Sequence, residues 1–495
     1  MPITDRNKWN LGGISLKKPN ILWICTDQQR QDTLGVYGNE WVNTPHIDRL
    51  AAQGALFEQA FCQSPVCTPS RASFLTGRYP RTTRCRANGQ DIPADEKLIS
   101  RLLSEEGYIC GLAGKLHLSA CHPSVTKGTE RRIDDGFDQF FWSHHPNSEW
   151  PTNEYTQWLK AKGKTFSPRP VEASPHVSYG PDAEDHQTTW CAEKAVQFIE
   201  TNADYDRPWF FLVNLFDPHH PFDPPKEYLE RYLERLDEIP LPNYQERELE
   251  NKPVYQRIDR DGAYGMKGNL AASSMSERDH RLIRAAYWAM CDLIDDQVGR
   301  MLDSLERSGQ LDSTIVIFMS DHGELLGDHG MYLKGPHFYD CSVRVPLIVR
   351  GPGIKGGRRL SSLVELADLA PTLLEASESP VYEGMQGKSL WPLLSGREKE
   401  TTKHREDVYC ESYDANFPHG DLRAWATMVR TERHKLVLYH NDNSGELYDL
   451  QTDPGENHNA WEDRAYASVK LELMQRLCNR MAMTVDPLPP RKSPW

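Results

Sequence analysis

Short runs of uninterrupted apolar residues, each stopping at a polar cluster, alternate along this chain with longer stretches whose apolar positions recur at helical spacing. Residues 19–26 (PNILWICT) stop at Asp27-Gln28-Gln29, and 108–113 lead into Gly114-Lys115-Leu116-His117. Residues 209–216 (WFFLVNLF) stop at Asp217-Pro218-His219-His220, and 314–319 (TIVIFM) at Ser320-Asp321-His322-Gly323-Glu324. Runs of this length predict strands buried on both faces of a parallel sheet, and 345–349 reads as another. Helical spacing and end signals predict helices over 47–54, 69–76, 98–106, 186–200, 276–307 and 367–375. The alternation implies an α/β fold, a mostly parallel sheet with helices on both faces. Such sheets place their ligands beyond the carboxyl ends of the strands, where Asp27, His219 and Asp321 fall.

Two segments break the rhythm. Residues 224–277 are charged and proline-containing without alternation, and read as an insertion near the site. A polar stretch at 396–406 reads as a linker. Beyond it, 424–440 and 446–450 read as antiparallel strands and 466–481 as a helix. Residues 1–400 are therefore expected to form the main domain, and 401–495 a smaller C-terminal α+β subdomain that completes the fold. No internal repeat is apparent.

A chain of 495 residues with 38% hydrophobic residues, 13 Trp and 20 Tyr has the means for a large core. No apolar run approaches the roughly 18 residues of a membrane span. Residues 1–18 lack the apolar segment of a secretory signal, which reads as cytoplasmic, or as periplasmic or secreted if a signal was removed before the numbered chain. A net charge of −14 argues against nucleic acid as a partner. Eleven cysteines at irregular spacing form no zinc-type pair, and fit a reducing compartment.

The chemistry gathers around Cys67-Thr-Pro-Ser-Arg71, continued as Ala72-Ser-Phe-Leu-Thr-Gly-Arg78. Pro69 lies in the first turn of a predicted helix, so Cys67 falls at a helix N-terminus, where free N–H groups favour an anion. A cysteine taken alone is as readily an inert core thiol. Asp27 alone is most simply a strand-end cap, and Lys115 with His117 a surface pair.

Together these residues read differently. Cys-x-Pro-Ser-Arg with Leu-Thr-Gly-Arg resembles the signature of the type I sulfatases, members of the alkaline phosphatase superfamily. Gly114-Lys115-Leu116-His117 resembles the family's Gly-Lys-x-His, and Pro218-His219-His220-Pro221 its Pro-His-x-Pro. The stretch from Ser320 through Glu324, Asp328 and His329 to Lys334 resembles a further motif. Residues 428–437, 446–450 and 453–456 are similar to C-terminal sulfatase segments, and the motifs stand in the family's order.

The resemblance implies an alkaline-phosphatase-like fold and hydrolysis of a sulfate monoester, probable substrates being carbohydrates or polysaccharide-derived oligosaccharides. It implies oxidation of Cys67 to formylglycine by a maturation enzyme, whose hydrate carries sulfate on one oxygen and expels it by re-forming the aldehyde. It implies one divalent cation, Ca²⁺ first, with Mn²⁺ or Mg²⁺ as alternatives, held by Asp27, Gln28, residue 67, Asp321 and His322. The family's commoner Asp-Asp and Asp-Asn pairs are here Asp27-Gln28 and Asp321-His322; these departures occur in choline-sulfatase-like and phosphonate-hydrolase-like branches, and the added nitrogen donor suits Mn²⁺. Arg71 is implied to orient the gem-diol, Lys115 and Lys334 to hold sulfate, His117 to take the hemiacetal proton and His219 to serve the leaving group. Asn88 lies on the same side in related phosphonate hydrolases, which makes it a substrate-binding candidate. A phosphonate monoester hydrolase or phosphodiesterase is the rival enzyme, and an unconverted glycan-binding pseudoenzyme the rival of another class. Two further sets, Arg78, Arg81, Arg84 and Arg86, and Trp142, His144, His145 and Trp150, are candidate subsites for substrate anions and sugar rings, against surface and structural roles. The oligomeric state stays open.

Overall fold

A computed structural model describes residues 17–147, 150–171, 174–416, 422–440 and 444–493. Most of the polar N-terminal stretch, residues 1–16, lies outside the described residues. In chain order the strands are β1 (Asn20–Thr26), β2 (Ala55–Phe61), β3 (Ile109–Gly114) and β4 (Gln139–Trp142). A two-stranded ribbon follows, β5 (Arg169–Pro170) with β6 (Ser178–Tyr179), then β7 (Trp209–Asn214), β8 (Thr314–Ser320), β9 (Leu347–Arg350) and β10 (Arg358–Glu365). Apart from the ribbon these form one eight-stranded sheet in the order β10-β2-β9-β8-β1-β7-β3-β4. Every neighbouring pair is parallel except those of β9, which runs against both β2 and β8.

Strand β1 shows why this sheet is buried. Its side chains alternate between faces, so Ile21, Trp23 and Cys25 join one core while Leu22 and Ile24 join the other. The first core packs under the helices Cys67–Thr76, Ile99–Glu105 and Leu369–Ala376; the second under Pro45–Gln53, Gln187–Thr201 and the lower part of Glu277–Arg307. The long helix starts where Ser276 and Asp279 cap each other's backbone N–H groups. Register brings the strand ends level, with Thr26 beside Ser320 and Cys25 beside Asn214.

Besides the two-residue ribbon strands β5 and β6, four strands carry no clear signal in the sequence. Glu58 and Gln59 interrupt the apolar run of β2, and β10, at the sheet edge, alternates buried and exposed positions through Arg359 and Ser361. Short β4 and β11 (Val408–Tyr413) were equally unmarked. Strand β11 opens a second, antiparallel sheet with β12 (Trp425–Arg430), β13 (His434–Tyr439) and β14 (Gly445–Asp449). The helix Ala467–Met483 packs Leu473 and Leu477 against Val429, Leu436 and Leu447 of that sheet. The expected insertion is a chain of short helices, Lys226–Leu233 and Val254–Arg260 among them, whose Tyr228, Leu229 and Tyr232 pack on the long helix. No helix among the described residues is long and apolar enough to cross a membrane. All eleven cysteines are free thiols.

Candidate active site

The carboxyl ends of β1, β8, β3 and β7 deliver Asp27, Asp321, Lys115 and, on the following turn, His219 to one place. Backbone hydrogen bonds keep the ends together: Asp27 N donates to Asp217 O (3.2 Å), Asp321 N to Thr26 O (3.2 Å) and Lys115 N to Asn214 O (3.1 Å). Gly114 has φ +104°, and a Cβ there would stand 1.9 Å from Asn214 O, so only glycine lets β3 turn Lys115 inward. Opposite them Cys67 is the first residue of the helix Cys67–Thr76. Val66 caps it with no side chain; Asn88 Oδ1 instead accepts from Thr68 N at 3.0 Å. Asn88 thus supports the helix end that carries the cysteine.

Cations surround the sulfur. Lys334 Nζ is 2.9 Å from Cys67 Sγ, Lys115 Nζ 3.8 Å and His322 Nε2 3.2 Å. Arg71, fully buried, runs between the two carboxylates, with NH2 3.2 Å from Asp27 Oδ2 and Nε 2.9 Å from Asp321 Oδ2. Lys115 Nζ also reaches Asp27 Oδ2 at 2.6 Å. Buried charges persist only when paired, and here each carboxylate has its cation. Burial opposes ionisation of Asp27, but Lys115, His219, Arg71 and Lys334 hold its carboxyl well below the usual range. Burial and Asp27 push the Cys67 thiol up, yet Lys115, Lys334 and His322 bring it below its ordinary value.

Asp27, Cys67, Asp321 and His322 offer ligand atoms that all lie within 4.8 Å of one another, all buried. Two carboxylates, an imidazole and an oxygen in place of the Cys67 sulfur suit a hard to borderline divalent ion, so the residues fit the implied cation. Burial lowers the His322 pKa, but Asp321 and Cys67 outweigh it and hold the imidazole up at about 9. That proton and an ion compete for the same Nε2, since Nδ1 lies 2.8 Å from Gly323 O. Gln28, at φ +67°, sits at the edge: its N–H donates to Asp321 Oδ1 (3.0 Å), its Oε1 accepts from Lys334 (2.7 Å) and its Nε2 donates to Glu324.

The histidines differ in place. His219 Nε2 is 2.9 Å from Lys334 Nζ, and burial, His220 and Lys334 hold its pKa well below the ordinary value. His117, at φ +54°, is kept neutral by burial and Lys115; its backbone N–H donates to Glu130 Oε1 at 2.9 Å. Glu130, which the sequence did not mark, also accepts from Leu118 N and the Trp142 indole. Tyr287, equally unmarked, links the loop by donating to Gln28 O (2.5 Å) and accepting from Arg30 N (3.0 Å). Neither belongs to a motif, and neither carries a local signal.

In the two candidate subsites, three of the four arginines and both tryptophans are engaged within the protein. Arg78 pairs with Glu96 and Asp486, Arg81 with Glu411 and Arg84 with Asp95, so these three tie the C-terminal subdomain and the nearby turn to the helix, while Arg86 is exposed. Trp142 and Trp150 are each 1% exposed and pack edge to face, with the Trp142 N–H spent on Glu130. They are core, with no ring face open to a sugar.

A family model described as sulfatase matches residues 19–379, and one described as N-sulphoglucosamine sulphohydrolase, C-terminal, matches 327–483. The chain is 31% identical to an uncharacterized sulfatase, YidJ, of Escherichia coli K12, over 95% of this chain and 89% of that one. It is 28% identical to the N-acetylglucosamine-6-O-sulfatase of Bacteroides thetaiotaomicron, over 93% and 86%. Among solved structures, the phosphonate monoester hydrolase of Agrobacterium radiobacter gives a TM-score of 0.81 at 28% identity, covering 95% of this chain and 97% of that one. The structure of BT4656 in complex with its substrate D-glucosamine-2-N,6-O-disulfate gives 0.73 at 25% identity, covering 96% and 100%.

Proposed function

The chain belongs to the sulfatase family and is a sulfuric ester hydrolase, and we propose that it removes sulfate from a carbohydrate monoester with a formylglycine made from Cys67. The observation that supports this most is the setting of Cys67 at a helix start, with Lys334 2.9 Å from its sulfur and the Asp27–Arg71–Asp321 array beneath. Formylglycine at residue 67, installed by a maturation enzyme, supplies as its hydrate an attacking oxygen and a route to release sulfate without a second displacement. A divalent ion, Ca²⁺ first and Mn²⁺ or Mg²⁺ as alternatives, held by Asp27, Asp321 and His322, supplies Lewis-acid charge toward sulfate oxygens.

The chain's own groups do the rest. Arg71 fixes both carboxylates and thereby the frame of the site. Lys115 and Lys334, both buried, bind sulfate oxygens where fixed charges act more strongly than in bulk water. His219 and Lys334, 2.9 Å apart, share a proton that can pass to the departing alcohol oxygen. Neutral His117 accepts a proton in the second half of the cycle.

Carbohydrate sulfates are favoured because the N-acetylglucosamine-6-O-sulfatase and the disulfated glucosamine complex stand among the relatives. A second reading, phosphonate monoester hydrolysis, is favoured by the 0.81 TM-score to such an enzyme. A panel of defined sulfated oligosaccharides, run beside a matched aryl sulfate and aryl phosphonate, tests the proposal. Sulfate release from a glycan supports it; turnover of the phosphonate with none of any sulfate overturns it.

A further inference from the structure

The loop that carries Lys334 is held from outside the central sheet. It is a narrow turn in which Leu325 N donates to Leu333 O (3.0 Å) and Gly327 N to Met331 O (2.8 Å). His329 and Leu333 sit at φ +56° and +66°, conformations that persist only where the surroundings over-determine them. Glu324 accepts from Leu333 N, Arg30 and Arg284 pair with Asp328 and Tyr339 stacks on His329; the insertion supplies the rest. His329 N donates to Asn243 O (2.7 Å), Asn243 N to Asp328 Oδ1 (2.7 Å), and His329 Nδ1 lies 2.9 Å from Glu248 Oε1.

The tightest contact is nearest the lysine. His337 Nε2 lies 2.6 Å from Asp259 Oδ2, with the two residues 0% and 1% exposed. Asp259 Oδ1 accepts from Gly265 N at 2.8 Å, so one carboxylate ties the insertion's own turn to the Lys334 loop. His337 Nδ1 has no hydrogen-bond partner among the described residues, which leaves Asp259 as the group that orients the ring. Between them Gly335, next to Lys334, packs so closely that a Cβ would lie 3.0 Å from Asp259 Oδ2 and 3.0 Å from the His337 ring.

We infer that Asp259, acting through His337, is a positioning residue for Lys334, and that the insertion serves as a clamp on the leaving-group side of the site. The carboxylate oxygens of Asp259 lie against His337 and the Gly265 N–H. The effect of Asp259 passes through the three-residue link from His337 to Lys334, across Gly335, where any Cβ would crowd the Asp259 carboxylate. Misplacing a catalytic group by about 1 Å is enough to reduce turnover on the order of 100-fold. The inference rests on Lys334 assisting departure of the alcohol oxygen, as proposed above.

The experiment uses full-length converted enzyme and a series of aryl sulfates of rising leaving-group pKa. The variants are Asp259→Ala, Asp259→Asn, Lys334→Ala and the Lys334→Ala/Asp259→Ala double. Asp259→Ala is expected to lower kcat/KM roughly 10- to 100-fold for the poorest leaving groups and far less for 4-nitrophenyl sulfate, where departure needs little help. Asp259→Asn, which keeps an acceptor for His337, restores most of the loss and serves as the folded variant if alanine is not tolerated. In the Lys334→Ala background the Asp259→Ala change adds less than about 2-fold, because two changes acting through one group are not additive. An equal loss for all leaving groups, or a loss that multiplies with Lys334→Ala, overturns the clamp and leaves Asp259 a stabilising residue. Failure of the underlying function shows separately, as wild-type enzyme that releases no sulfate, or as Lys334→Ala with no leaving-group dependence.

Discussion

Lys115 Nζ lies 2.6 Å from Asp27 Oδ2, with both side chains buried, so the lysine that faces residue 67 is already paired with a carboxylate of the proposed cation cluster. Anion and cation sites thus share a charge, and a bound sulfate must draw on a group that also neutralises Asp27. Lys115→Ala is expected to lower kcat/KM for an aryl sulfate by about 100-fold or more, the usual scale for losing one fixed charge at a developing anion. It should narrow the preference for sulfate over the matched phosphonate, because the three donors of the Lys115 ammonium are assigned here to the oxygens of the proposed sulfate substrate. Parallel kcat/KM values for the two esters, wild type against variant, check both statements. Turnover of the phosphonate with none of the aryl sulfate or of any sulfated glycan would decide for the second reading.

Cys67→Ala is expected to abolish turnover, and Cys67→Ser to retain at most one burst of product, because a serine sulfate cannot collapse to an aldehyde. Mass spectrometry of the Cys67 peptide should find the thiol replaced by an aldehyde or its hydrate in active preparations. Full activity with an unmodified thiol would refute the formylglycine route.

Asp321→Ala removes one of two carboxylates in the cluster and leaves Arg71 with Asp27 alone. The variant should lose bound divalent ion, read by elemental analysis, and at least about 100-fold in turnover. Chelation of the wild type should reproduce the loss, and added Ca²⁺ or Mn²⁺ should reverse it in the wild type only. Undiminished activity in an ion-free sample would remove the cation from the mechanism.

The long helix carries a pH dependence of its own. Burial pushes the carboxyls of Asp292 and Asp295 up from 3.8 to about 7, against the N–H groups of Asn43, His46 and Ile47 that they accept. Both bind a proton more tightly folded than unfolded, so their contribution to stability is greatest below about pH 4, falls as the pH rises to about 7, and is level above that. Within the window each group changes stability by up to about 1.4 kcal/mol per pH unit. Melting temperatures of wild type and Asp295→Asn between pH 4 and 8 test this. The variant should lose stability less steeply with rising pH, and identical slopes would show that Asp295 is ionised throughout.

The sheet was legible where both faces are covered. Such strands must be apolar at every position, and 19–26, 209–216 and 314–319 announce themselves; the polar residues after them then mark the strand ends that hold the site. Asp27, Cys67, Arg71, Lys115, His117, His219, Asp321, His322 and Lys334 could be gathered from motifs alone, because each stands in a fixed local frame of strand end or helix start. Edge and short strands such as β10 and β4 could not, since one covered face leaves a pattern that charged residues easily mask.

The inventory of reactive groups, and the order of buried strands that delivers them, follow from local spacing and from the need to hide apolar side chains. Which groups pair follows from the folded arrangement. It assigned Arg78 and Arg81 to Glu96 and Glu411 and not to a substrate, buried Trp142 and Trp150 in core, and set Asp259 against His337, 78 positions apart. Pairing of buried charges depends on distances of a few ångströms between elements remote in the chain, and no periodicity in the sequence encodes those distances.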